Sequence, residues 1–396
     1  MIAIKRKKAI AVSIFLGLIL ILGYVFYYGI DQKSSSREGS TYENLDVDQK
    51  ESPFECLDDQ KIEYMYYSHS NPLWEPNNKF GIYVYAEVAK FFEIAQNLVN
   101  SNGGEWGYVL IPYNVQDHDY NKWSRVFDQL RNKKLIPVIQ LWNVDVAKYV
   151  DQTRDAAEFL NRFIWPIKYR YISVYNEPNS ANFWYDKIDP IEYARILNYS
   201  VTIFKEQNED FYMLNGALNV SAPTNANHMD SFLFMKKMEE AEPGIFEKLD
   251  GWASHPYPQP NFSGNPADIG RWSIRAYEDE LRYLKNELGI KKDLPVFITE
   301  TGWAHAEGAV YNPSFLPVKT IEKYFKSAYE DVWLKDDRVR AVMPFTIRYN
   351  PPFDHFSWVN FDYVPYSHFE TVKKMEKVSG KPPELITETL IINTCD

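Results

Sequence analysis

The chain of 396 residues has two cysteines, 17 glycines and no surplus of basic charge. Each shortage excludes something. Two cysteines rule out a disulfide-stapled mini-protein and a zinc site built mainly from thiolates. So few glycines exclude a collagen-like fibre, and 45% hydrophobic residues exclude a disordered chain. A net charge of −11 argues against a nucleic-acid partner, which needs a basic face. There is no His-Glu-x-x-His, no Gly-x-Ser-x-Gly and no Walker loop, so neither a catalytic metal nor an organic cofactor is expected. Aromatic residues are abundant instead, with 11 Trp, 29 Tyr and 24 Phe. That exceeds what a core of this size needs. Part of the excess is expected to line a surface for a ligand with flat, weakly polar faces.

The N-terminus reads as a membrane anchor. Residues 1–8 carry the basic cluster Lys5, Arg6, Lys7 and Lys8. Residues 9–30 are uncharged, and this run of 22 exceeds the roughly 20 that a helix needs to cross a hydrocarbon core. Tyr24, Phe26, Tyr27 and Tyr28 lie at its far end, where an aromatic belt meets the headgroups. The basic cluster predicts a cytoplasmic N-terminus with the rest of the chain outside. The length and bulky end favour an uncleaved anchor over a cleaved signal peptide. Beyond residue 30 the remaining 39 basic and 54 acidic residues give a net of −15. Residues 31–58 are polar and read as a flexible tether.

From about residue 60, strand and helix patterns alternate. Short apolar runs occur at Phe80–Tyr85, Tyr108–Tyr113, Leu135–Leu141, Tyr171–Tyr175, Phe211–Leu218, Leu249–Ser254, Pro295–Thr299 and Val339–Ile347. Each is followed by a helical pattern, the last at Ser367–Val378. Eight such pairs predict a parallel (β/α)8 TIM barrel over residues 59–385, with 386–396 as a C-terminal tail. The competing doubly wound sheet is expected to carry a Gly-rich phosphate turn after its first strand, and none is present.

A barrel keeps its chemistry at the C-terminal ends of its strands. Strand four ends Tyr175-Asn176-Glu177-Pro178-Asn179, and strand seven ends Ile298-Thr299-Glu300-Thr301-Gly302-Trp303. Each glutamate follows directly on an apolar strand, and strand alternation is expected to aim it at the barrel mouth. A single such carboxylate is more often a structural ion pair or a helix cap. Two, on strands four and seven, point to a paired site. Strand six adds Ser254-His255-Pro256-Tyr257.

These segments resemble the glycoside hydrolases of clan A, nearest to families five and thirty-nine. The resemblance covers residues 60 to 380 in architecture, and its specificity lies in the three short segments. It implies a retaining glycosidase acting on a β-linked oligo- or polysaccharide. Glu300 is then the nucleophile and Glu177 the acid/base, with Glu177 first protonated and Glu300 ionised. It further implies that Asn176 binds the sugar 2-hydroxyl, that Tyr257 orients Glu300, and that His255 supports the same floor or touches substrate. Trp142, Trp184 and Trp303, in loops after the strands, are candidate sugar platforms.

The sequence also departs from the clan pattern. Strand two ends Ile111-Pro112-Tyr113-Asn114 without the arginine many members carry, and strand eight has no tryptophan at its end. Phe345 or Trp358 is the candidate replacement for that ring, and Arg348 for the charge. Three readings follow: a monomeric, membrane-anchored hydrolase outside the cytoplasm, a transglycosidase with the same residues, or an inactive carbohydrate-binding barrel. A carboxylate-bound metal lyase is disfavoured, because strands three, five and six end without acidic clusters. Cys56 and Cys395 flank the barrel; a bridge and two free thiols remain alternatives.

Overall fold

The computed structural model describes residues 60–69 and 71–392. The predicted anchor at 9–30, the tether at 31–58 and both cysteines lie outside the described residues. Among the described residues no helix is long and apolar enough to cross a membrane.

The first strand, β1 (Gln60–Tyr67), belongs to no predicted element. Eight barrel strands follow: β2 (Gly81–Tyr83), β3 (Gly107–Asn114), β4 (Leu135–Trp142), β5 (Arg170–Val174), β6 (Phe211–Asn215), β7 (Trp252–Ser254), β8 (Val296–Ile298) and β9 (Val339–Val342). Helices α1 (Ala89–Val99), α2 (Tyr120–Asn132), α3 (Tyr149–Asn161), α4 (Pro190–Gln207), α5 (Ser231–Ala241), α6 (Ala276–Asn286), α7 (Val318–Ser327) and α8 (Ser367–Lys374) come one after each barrel strand. Strands β2 to β6 pair in parallel, as do β7 to β9. Two seams close the ring. At one, Phe80 bridges Val342, and Tyr83 N–H donates to Pro344 O at 3.0 Å. At the other, Leu214 bridges Gly251, and the Asn215 side-chain amide both donates to Ala253 O (3.0 Å) and accepts from Ala253 N–H (2.8 Å). The predicted (β/α)8 order is therefore present. Gly81 is needed at the first seam, where a Cβ would lie 2.6 Å from Met343 Cγ and 2.9 Å from Val342 O.

Two apolar layers hold the ring. Val109, Ile111, Ile139, Ile172 and Val174 face outward to the helices, while Tyr108, Leu110, Val138, Tyr171, Tyr212 and Phe297 fill the interior. The interior rings contact one another, with Tyr171 and Phe297 centroids 5.0 Å apart. Buried hydroxyls find partners: Tyr108 donates to Asn77 Oδ1 (3.0 Å) and Tyr212 to Asp250 O (2.6 Å). Part of the aromatic excess is thus barrel filling, a use the composition alone did not reveal.

The C-terminal residues depart from expectation. Residues 386–392, read as a tail, belong to β10 (Leu385–Ile392), which pairs antiparallel with β1, Gln60 opposite Ile392. The β-branched alternation in Leu385–Ile392 is the signal for that strand. Strand eight is also shorter than predicted, because the chain leaves the ladder after Val342 and bends at Phe345.

Candidate active site

Strand alternation brings only part of the site to the mouth. Tyr169, just before β5, and Tyr171 on it face inward, and Tyr175 should follow them. Tyr175 instead has φ 72° and packs its ring in the outer layer against Trp184, 5.7 Å between centroids. Glu177 has φ 37°. Two non-glycine residues in the left-handed region within one turn are uncommon and cost of order 1–3 kcal/mol each. The surroundings enforce this turn. Tyr193 Oη donates to Val174 O (3.0 Å) and accepts from Gly216 N–H (2.7 Å), and Glu177 N–H donates to Ala217 O (3.0 Å). Gly216 has to be glycine, since a Cβ there would sit 2.5 Å from Val174 O.

Glu300 is likewise out of phase. Phe297 points inward, so strict alternation would turn Glu300 outward. The strand ends at Ile298 and Glu300 sits at a bend, which redirects its side chain. The expectation that alternation aims both carboxylates inward is corrected here: local turns do so. His255, two residues after inward Ala253, does follow the alternation.

The three segments predicted to form a site converge. His255 Nδ1 lies 3.1 Å from Glu177 Oε1 and 3.9 Å from Glu300 Oε2. Through that ring the two nearer oxygens lie no more than about 7 Å apart, which is compatible with the retaining spacing of about 5–5.5 Å. Tyr257 Oη donates to Glu300 Oε2 at 2.9 Å. Glu177, Glu300 and His255 are all buried. Asn176 is half-buried beside them, its Oδ1 accepting from Gln140 Nε2 at 3.0 Å. Gln140, on β4, is a site residue the sequence reading missed; a polar residue within the apolar run Leu135–Leu141 was the available signal.

The electrostatics follow from burial without a lysine or arginine partner. Burial raises the pKa of Glu300, and the Glu177 charge adds to the rise; His255 and the Tyr257 hydroxyl oppose it. Burial works against the imidazolium of His255, but the charges of Glu300 and Glu177 outweigh it and raise its pKa. Burial and the Glu300 charge push the Tyr257 hydroxyl well above its ordinary value, so it stays a donor. The expected ionised state of Glu300 therefore depends on two donors working against its burial.

The predicted sugar platforms divide. Trp142 is 48% exposed at the end of β4 and lines a cleft over β2–β5 with Tyr85, Asn176 and Tyr349. Trp303 and Trp184 do not stand at the surface. Trp303 is buried, donates to Gly264 O (2.8 Å) and packs on Phe325. Trp184 is buried between Tyr175 and Tyr193, and its indole donates to Glu192 Oε1 at 3.2 Å. Trp184 nonetheless lines the same cleft as Trp142, while Trp303 fills the layer behind the turn at Glu300. Trp358 is core against Phe325, while Phe345 packs on Tyr83 near the mouth. Arg348 is turned to Tyr363 and Phe361. Among the described residues no group of three or more His, Cys, Asp and Glu is placed to hold a metal ion.

No family model matches the chain, and no curated protein matches it in sequence. Solved structures do match in fold. A monomeric β-xylosidase from Caulobacter crescentus CB15 superposes with TM-score 0.51 at 13% identity, covering 78% of this chain and 69% of that one. A glucosidase from Croceicoccus marinus gives 0.53 at 10% identity, over 76% and 68% of the two chains. A Bacteroides uniformis β-glucuronidase gives 0.50 at 11% identity, over 79% of this chain and 37% of that one. The chain thus has the α/β barrel fold found in these glycosidases.

Proposed function

We propose that the chain is a retaining glycoside hydrolase of the clan A type, cleaving β-linked oligo- or polysaccharide, anchored by residues 9–30 with its barrel outside the cytoplasm. The observation that carries the catalytic reading is the buried pair Glu177 and Glu300, held around one imidazole and one phenol at the barrel mouth. The glycosidase identity of the structural neighbours is consistent with it.

In the first step Glu300 attacks the anomeric carbon. The bond to the leaving oxygen breaks, and the proton of Glu177 passes to that oxygen. In the second step Glu177 takes a proton from water, whose oxygen displaces Glu300 from the same carbon. Tyr257 holds the Glu300 oxygen that does not attack and stabilises its charge. His255 bridges the two carboxylates and keeps their charges from being mutually unscreened. Asn176, oriented by Gln140, binds the 2-hydroxyl of the sugar.

The test is hydrolysis of a panel of aryl β-glycosides by wild type, Glu300→Ala and Glu177→Ala. The proposal expects wild-type turnover that Glu300→Ala abolishes. It also expects Glu177→Ala to be hurt most on substrates with poor leaving groups. Turnover that survives both substitutions would remove the reading. For the anchor, full-length protein should stay with membranes in carbonate wash, and a chain starting near residue 52 should not.

A further inference from the structure

Two clefts flank the segments that carry the carboxylate pair. The first, about 760 Å³, opens over β2–β5 and ends at Asn176, the neighbour of Glu177. The second, about 640 Å³, opens over the loops after β6 and β7 and is lined by Asn219, Gln259 and Trp272. It neighbours the site along the backbone: Asn219 bridges His255, and Gln259 stands two residues after Tyr257. Both volumes fall within the roughly 300–1,000 Å³ usual for ligand clefts.

Each cleft presents one exposed indole. Trp142 is 48% exposed in the first and Trp272 62% in the second. Trp272 is held in place. Its carbonyl accepts from Gln259 N–H at 2.8 Å, and its neighbour Arg271 is fixed by Val220 O (2.7 Å), by Asp230 (2.7 Å) and over the Phe232 ring (4.3 Å). A ring kept exposed by a fixed backbone is preorganised to stack on an apolar sugar face.

The charges restrict what that sugar carries. In the first cleft Glu87, Asp117 and Asp186 outnumber Lys122, which is already paired with Asp117 (2.6 Å) and Glu87 (3.3 Å). The second cleft has no Asp, Glu, Lys or Arg in its lining. A uronate would meet repulsion on one side and no cation on the other.

We infer that the substrate is a neutral β-linked polysaccharide lying across the mouth, with sugars stacked on Trp142 and on Trp272, and that it is cut internally. This rests on the hydrolase reading and adds the substrate class and the mode of attack.

The test separates binding from cleavage. Glu300→Ala protein is titrated calorimetrically with neutral β-linked gluco-, xylo- and manno-oligosaccharides of two to six sugars, and with β-linked oligomannuronates of the same lengths. At least one neutral series should gain affinity with length up to four sugars or more. Adding Trp272→Ala should weaken the longest chain roughly tenfold or more and flatten the length dependence, with Trp272→Phe recovering part of it. Oligomannuronates should bind at least roughly tenfold more weakly. Wild type should cut an end-labelled neutral chain at internal bonds. The inference is overturned if no neutral series binds, if affinity levels off at one or two sugars, if Trp272→Ala leaves long chains unaffected, if uronates bind equally well, or if single sugars leave from one end. Length-dependent binding without cleavage by wild type would instead remove the hydrolase reading and leave the two-cleft seat standing.

Discussion

The two ends of the barrel treat charge in opposite ways. At the N-terminal end, charges are matched. Arg340 at the start of β9 pairs with Glu75 and donates to Trp74 O; Lys168 pairs with Asp210 (3.0 Å) and Lys205 with Asp250 (2.7 Å). At the C-terminal mouth, Glu177 and Glu300 are buried with no lysine or arginine partner, held by one imidazole and, at Glu300, one phenol. One layer out, Glu280 on α6 is fully buried as well, taking a hydrogen bond from Ser254 Oγ. Buried like charges are costly, and a protein gains nothing in stability by keeping them. The base is arranged for stability; the mouth accepts a cost, which is the signature of a working site.

This contrast can be broken from either end. The largest effect belongs to Glu300→Ala, which should lower kcat/KM by roughly 10⁴-fold or more while leaving the fold intact or more stable; thermal melts beside the kinetics check both halves.

Next is Glu280→Gln. Burial raises the Glu280 carboxyl from its ordinary 4.5 to about 7, so the folded state favours its proton. The stability it contributes is complete below pH 4.5 and is lost as pH rises through 7. Glutamine should therefore stabilise the protein by up to about 3 kcal/mol at pH 8 and by little at pH 4.5. Denaturant unfolding at the two pH values reads the difference, and an equal effect at both would refute the assignment.

Arg340→Ala should do the reverse of the mouth variants. It should cost about 2 kcal/mol of stability, discounted because Glu75 is mostly exposed, with kcat/KM kept at temperatures where the protein is folded.

The smallest effect is that of Tyr257→Phe. The Glu300 pKa is already raised by burial, so activity should fall as pH drops through a value above the ordinary glutamate range. Removing the phenol removes a donor that favours the carboxylate. The acid limb of kcat/KM should move to higher pH, with a loss of roughly tenfold at the optimum. A pH–rate profile that keeps the wild-type limb would show that Tyr257 does not hold Glu300.

Much of the fold was legible because alternating apolar runs and helical faces report burial, and burial repeats eight times here. The carboxylates and His255 were legible because they stand at strand ends within short, unusual segments. The route by which Glu177 and Glu300 reach the mouth was not. It depends on left-handed backbone at Tyr175 and Glu177 and a bend at Glu300, which side-chain patterns do not report. The burial of two predicted platforms went unread for a related reason. Trp184 and Trp303 occupy loops, where sequence suggests exposure, yet each finds a hydrogen-bond acceptor and a ring to bury against. Trp272 was missed because its loop, Pro256–Arg275, has no periodicity to distinguish an outward ring from an inward one. The β1–β10 ribbon went unread because its two halves lie at opposite ends of the described chain. It brings Gln60 opposite Ile392.

The central claim is double displacement through Glu300. Proton NMR of the first sugar released from a hydrolysed β-glycoside tests it directly, before mutarotation scrambles the anomers. The account predicts the β-anomer, formed by two inversions. The α-anomer would mean a single displacement by water and would contradict it.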